Sequence, residues 1–178
     1  MLQSTKQKAQ PCGLGNLSET ICKVCFRHLP LIMNKKTLFL DFDGVLHPTV
    51  AQPSALFIHG SRLAEALRLC PVNIVISSSW RFHFSKQDYL EKLPLELASH
   101  VVGATGEAHV GKFARWHEIQ HYVKKHRIVD WRALDDSAFE FPLGCRELIA
   151  CDGSLGVTSA QLDLVTGWLR QASNEKTI

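Results

Sequence analysis

Leu38-Phe39-Leu40-Asp41-Phe42-Asp43-Gly44-Val45-Leu46 runs three apolar residues into two carboxylates one residue apart, with a glycine directly behind them. Side chains at i and i+2 of a strand share a face. At a strand end, a turn can splay both acids around one point. Two carboxylates that close repel each other, and burying them unpaired is costly. A divalent cation would relieve that repulsion, leaving one acid as a nucleophile and the other as a proton carrier. The plainer reading is a buried strand ending in a turn with solvated acids, so the rest of the chain has to decide.

Outward from that stretch, strand and helix signals alternate, which predicts a parallel sheet covered by helices. Thr37–Asp41 is the first strand, and Ser61–Cys70 a helix with Ser61 as its cap and Leu63, Leu67 and Cys70 on one face. Val72–Ser77 reads as a β-branched strand buried on both faces. Ser85-x-x-Asp88 opens a helix that is interrupted at Pro94. A short strand over Val101–Thr105 and a helix over Lys112–Lys125 follow, the helix presenting Trp116, Ile119 and Val123. Trp131–Leu134 and Glu147–Asp152 supply two more strands, and Thr158-x-x-Gln161 boxes the start of a last helix packed through Leu162, Val165 and Leu169.

In open α/β sheets, ligands sit beyond the carboxyl ends of the strands. Polar residues gather at those ends here: Asp41 and Asp43 after the first strand, then Ser77, Ser78, Ser79, Trp80 and Arg81 after the second. Asp135 and Asp136 follow Trp131–Leu134, with Lys112 and Arg115 just upstream on a helix. Each ending alone has a bland explanation, because Ser, Asp and Gly favour turns. Four in the right order are hard to dismiss.

Phe39–Pro48, Ile74–Arg81 with its Ser-Ser-Ser-Trp-Arg, Arg115-x-x-Glu118-Ile119 and Ala133-Leu134-Asp135-Asp136 together resemble the haloacid dehalogenase (HAD) superfamily. The closer likeness is to its capless hydrolases, whose relatives occur as modules in bacterial RNA-repair proteins. The resemblance runs from about Thr37 to Leu169. It implies an α/β, Rossmann-like three-layer sandwich on a mostly parallel sheet, and Mg²⁺-dependent phosphoryl transfer through an aspartyl-phosphate. It further implies Asp41 as nucleophile and Asp43 as acid and base, with the main-chain carbonyl of Asp43 on the metal. Ser77 and Ser78 would bind phosphate. Arg115, or Lys112 one turn earlier, would neutralise it, and Asp136 with Asp135 would complete the Mg²⁺ shell. Arg81 is open between reaching phosphate and pairing with a structural acid. His47 reads as a locally satisfied loop histidine, and Trp80 as packing.

Only about 30 residues separate Asp43 from the second strand, and about 30 separate Arg81 from Lys112, which leaves no room for a folded cap. An open site admits phosphates on large molecules, such as nucleic-acid ends or phosphoproteins, as well as small nucleotides, and the resemblance to RNA-repair modules implies RNA or DNA ends as partners. The competing class is a non-catalytic phosphate-recognition module with the same fold. His117-Glu118-Ile119-Gln120-His121 also fits the HExxH pattern of zinc proteases, although a third ligand and a cleft would be needed.

Composition sets the outer bounds. The 178 residues, 46% hydrophobic and 21% charged, suit one ordinary globular domain. No apolar run approaches the roughly 20 residues that span a bilayer, so no membrane partner is expected. Six cysteines without a secretory signal do not read as a disulfide framework, and a cytoplasmic location is the default expectation. Cys22-x-x-Cys25, with Cys12 and His28, lacks the spacing of a common zinc knuckle. The net charge of +3 belongs wholly to residues 1–32, which are expected to be a flexible extension ahead of a functional domain at 33–178. That domain is neutral overall and lacks the field of a nonspecific nucleic-acid binder.

Overall fold

The computed structural model describes residues 35–171, which belong to one compact unit, Asn34–Ile178. The expected extension over 1–32, with Cys12, Cys22 and Cys25, lies outside the described residues. Among the described residues, no helix is long and apolar enough to cross a membrane.

Five strands form one sheet: β1 (Lys36–Leu40), β2 (Val72–Ile76), β3 (Val101–Ala104), β4 (Trp131–Asp135) and β5 (Leu148–Ala150). Their spatial order is β3-β2-β1-β4-β5 and every pairing is parallel. Six helices cover it: α1 (Gly60–Leu67), α2 (Trp80–His83), α3 (Lys86–Leu90), α4 (Leu95–Ala98), α5 (Ala114–His126) and α6 (Ser159–Arg170).

The period-2 alternation of strand side chains makes the three layers. Leu38 and Leu40 of β1, with Ile74 and Ile76 of β2, face one core shared with Leu63 and Leu67 of α1, Leu97 of α4, and Val165 and Trp168 of α6. Phe39, Val75 and Ala133 face the opposite side and meet Ile119 of α5. Fully burying a side chain of this size stabilises the fold by roughly 1.5–3 kcal/mol. The short helices between β2 and β3 join the same core through Tyr89, Leu93 and Leu97. They complete the helical layer rather than building a separate cap.

Several boundaries differ from the sequence reading, each for a local reason. Helix α1 starts at Gly60 after His59, with no side-chain cap, so Ser61 lies inside it and Cys70 beyond its end. Helix α5 starts at Ala114 instead of Lys112, because Phe113 takes a left-handed backbone conformation (φ 60°) that breaks the helix before it. The Ser85–Asp88 box is present, with Ser85 N–H donating to Asp88 Oδ2 at 2.9 Å and Asp88 N–H to Ser85 Oγ at 3.2 Å. The Thr158–Gln161 box is likewise present.

The chain steps outward from β1 to β2 to β3, then crosses back to place β4 on the other side of β1. That reversal puts the topological switch point between β1 and β4, where an open sheet parts and a crevice forms at its carboxyl edge.

Candidate active site at the carboxyl edge of the sheet

Backbone pairing continues past the strand ends and holds the edge in register. Asp41 N–H donates to Leu134 O at 3.1 Å, Ser77 N–H to Leu40 O at 2.9 Å, and Cys151 N–H to Asp135 O at 2.9 Å. Asp41, the buried Asp135 and the half-buried Asp136 therefore converge, each offering a carboxylate oxygen within 4.8 Å of the others. Separate loops of the sequence meet at the switch point. Among the described residues, no other histidine, cysteine or acid group meets that test.

Arg115 enters from the first turn of α5. Its Nη1 lies 2.7 Å from Asp135 Oδ2 and 3.3 Å from Asp41 Oδ2. Asp135 Oδ1 accepts from Ser137 N–H at 3.0 Å, so both oxygens of this fully buried carboxylate are engaged by the protein. Asp135 thus acts as the anchor of Arg115. Burial, followed by the charge of Asp41, still pushes its carboxyl up to about 7 against the pull of Arg115. Asp41 is raised for the same leading reason, with Arg115, Phe42 N–H and the Ser78 hydroxyl opposing. Asp136 is placed by two hydroxyl donors, Ser137 Oγ at 3.0 Å and Thr49 Oγ at 3.1 Å.

Two glycines make room for Asp136. A Cβ on Gly44, where φ is +68°, would lie 2.0 Å from Asp136 Oδ2, and one on Gly153 would lie 2.4 Å from the same atom. The glycine after the DxD pair is therefore demanded twice, by backbone conformation and by contact.

Asp43 is held differently. Phe57 N–H donates to His47 Nδ1 at 3.3 Å, so the other ring nitrogen, Nε2, carries the proton and donates to Asp43 Oδ1 at 3.0 Å. Trp80 Nε1–H donates to Asp43 Oδ2 at 2.8 Å. The His47 hydrogen bond is the largest cause, with the Trp80 bond adding to it, of an Asp43 carboxyl held below its ordinary range. Phe57 and Trp80 pack around His47, which is 1% exposed. The sequence reading took His47 and Trp80 as local packing; both are also the donors that orient Asp43.

The remaining expected residues separate into two groups. Ser77 Oγ is buried and has no protein partner, and Thr105 Oγ, at the end of the adjacent β3, shares that condition. A buried unpaired hydroxyl is costly, and an incoming oxyanion would satisfy it. Ser78, in contrast, serves Asp41 and accepts from Trp80 N–H at 3.4 Å.

Arg81 is not turned toward the crevice. Its Nη1 donates to Ser77 O at 2.5 Å and Ser78 O at 2.7 Å, and its Nη2 pairs with Glu118 Oε2 at 2.5 Å. Of the two roles left open by the sequence, the geometry gives the structural pairing. Lys112 also stands apart: displaced from α5 by Phe113, its Nζ sits 4.6 Å from the Phe113 ring centroid. Arg115 is the cation brought to the aspartates. Glu118 is fully engaged, accepting from Arg81 and from His109 N–H at 3.0 Å, so it is not placed as the base of a zinc protease.

Sequence reasoning missed Thr49, Gly153 and Thr105. Their loops carry no local motif, and only the fold brings Thr49 and Gly153 to Asp136 and Thr105 alongside the end of β2.

The donors fit magnesium. They are hard oxygens from few carboxylates, the kind of set that would hold Mg²⁺ together with waters and a substrate phosphate. Burial, and behind it the charge of neighbouring aspartates, raises Asp41 and Asp135, and a divalent charge would favour their charged forms. Searches of curated proteins and of solved structures find no match for this chain. A family profile described as the HAD domain in Swiss Army Knife RNA repair proteins matches residues 37–162, every strand and the site included, and on that match the chain belongs to this HAD family.

Proposed function

We propose that this chain is a magnesium-dependent phosphohydrolase that works through phosphorylated Asp41 and acts on terminal phosphates of nucleic acids. The observation that carries the reading is the meeting of Asp41, Asp135 and Asp136 within 4.8 Å, beside a guanidinium that already touches two of them.

Asp41, Asp136 and the main-chain carbonyl of Asp43 would hold the ion, with Asp135 behind them. Bound there, Mg²⁺ supplies positive charge to the phosphate oxygens and lets carboxylate and phosphate approach. Asp41 attacks phosphorus in line and needs no activating base. Ser77 Oγ donates to a phosphoryl oxygen, and Arg115, poised on Asp135, balances the charge that develops. Asp43 gives a proton to the leaving oxygen and later takes one from the water that opens the acyl-phosphate. The donors of His47 and Trp80 aim its carboxylate and favour the charged form that the second step uses. The family's RNA-repair setting and the absence of a cap between β2 and β3 support a macromolecular phosphate over a small enclosed one.

The test is hydrolysis of an aryl phosphate with and without Mg²⁺, by wild type and by Asp41→Asn and Asp136→Asn. Turnover that needs the metal and falls at least a thousandfold in Asp41→Asn is expected. Phosphate binding without turnover in wild type would favour the non-catalytic recognition module instead.

A further inference from the structure

A groove of about 660 Å³ that the reaction does not use is bounded by α5 and the segment 104–109 that leaves β3. Its lining is aromatic and imidazole-rich. His109 and His117 face each other with ring centroids 4.4 Å apart and planes tilted by 31°. One to two turns along α5, Tyr122 and His126 stack at 4.1 Å and 26°. His109, His117, His121 and His126 are all exposed, as is Lys125, next to His126 on α5.

The groove reaches toward the site through one shared element, α5. Glu118 lines it and lies one turn from Arg115 on α5, and the Arg81–Glu118 pair that forms the wall also holds the carbonyls of Ser77 and Ser78. The lining carries no excess negative charge: of its two acids, Glu118 is neutralised by Arg81, and Glu107 is balanced by Lys125.

Paired rings lining a groove that reaches within one helical turn of Arg115 match what single-stranded nucleic acid requires. Every base offers a π-face, so a ring pair takes bases without regard to sequence, while a cation meets the backbone. We infer that this groove seats the nucleotides next to the terminal phosphate, their bases on the His109–His117 and Tyr122–His126 pairs and their backbone near Lys125. This rests on the phosphohydrolase reading for the phosphate and on the groove alone for the strand.

The experiment compares wild type with His117→Ala/His121→Ala and with Lys125→Glu, using fluorescent single-stranded octanucleotides of RNA and of DNA that carry a phosphate at the 3′ or the 5′ end. Anisotropy is measured on all of them with Mg²⁺. The ratio of kcat/KM on the octanucleotide to that on an aryl phosphate is measured alongside. The double variant is expected to weaken binding, and to lower that ratio, by roughly tenfold or more, the loss typical of one stacked base. Its circular dichroism should match wild type, since both side chains are exposed. Equal binding by wild type and the double variant, or no binding by wild type, overturns the inference. Wild type active on aryl phosphate but not on any octanucleotide overturns it too, while leaving the phosphohydrolase reading intact. Strand binding that depends on the groove, with no hydrolysis of anything, has the opposite meaning: the groove stands and the catalytic reading falls.

Discussion

Trp80 Nε1 lies 2.8 Å from Asp43 Oδ2, so the indole that closes the second strand's loop holds one oxygen of the acid while His47 holds the other at 3.0 Å. An acid that must meet a leaving oxygen and then a water gains from being aimed before either arrives.

Trp80→Phe tests that aim, because it keeps an aromatic ring and removes only the donor. With one donor gone, the Asp43 carboxyl moves up toward its ordinary value, so the acid-side fall of kcat, set by the charged form that opens the acyl-phosphate, shifts to higher pH. The rate at its optimum is expected to drop by roughly tenfold to a hundredfold. An unchanged pH profile would remove Trp80 from the site.

Gly44 and Gly144 make a matched pair. Both have a left-handed backbone, φ +68° and +75°, but a Cβ on Gly44 meets Asp136 at 2.0 Å, whereas one on Gly144 meets nothing within 4 Å. Gly144→Ala should cost about 1–2 kcal/mol, the backbone term alone. Gly44→Ala should cost more and also abolish Mg²⁺ binding, as read by calorimetric titration. Equal losses in stability and normal metal binding by Gly44→Ala would mean that Asp136 is not confined there.

Arg81 and Glu118 are about 95% buried as a pair, their side chains 5% and 7% exposed. Breaking one partner of a buried pair strands the other charge, at a cost of about 3–5 kcal/mol. Arg81→Ala and Glu118→Gln should therefore both unfold at clearly lower urea concentration than wild type. Arg81→Ala with wild-type stability and a raised KM would instead place Arg81 on the substrate.

The raised carboxyls make stability depend on pH and metal. In the unfolded chain Asp135 releases its proton near 4, whereas in the folded, metal-free protein it holds it to about 7. The folded state thus binds more protons across that window, and stability falls as pH rises through it. With a chelator present, the thermal midpoint should be lower at pH 7.5 than at pH 5.5. Mg²⁺ should raise it more at pH 7.5, where the charged form of Asp135 is the more populated. A metal increment that is the same at both pH values would argue that these acids do not share the ion.

The sequence by itself determined the strands, their parallel arrangement and the acids at their ends. An apolar β-branched run such as Val72–Ile76 has few alternatives to a buried strand, and Asp41, Asp135 and Asp136 stand directly at strand ends. What only the tertiary structure decided is which polar groups share a charge. Arg115 outcompeted Lys112 because a left-handed Phe113 starts the helix two residues late and turns Lys112 outward. Arg81 went to Glu118, 37 residues away, and Thr49 met Asp136 across 87. Strand and helix formation follow from local periodicity, whereas the pairing of a charge depends on whichever group the fold carries to within about 3 Å of it.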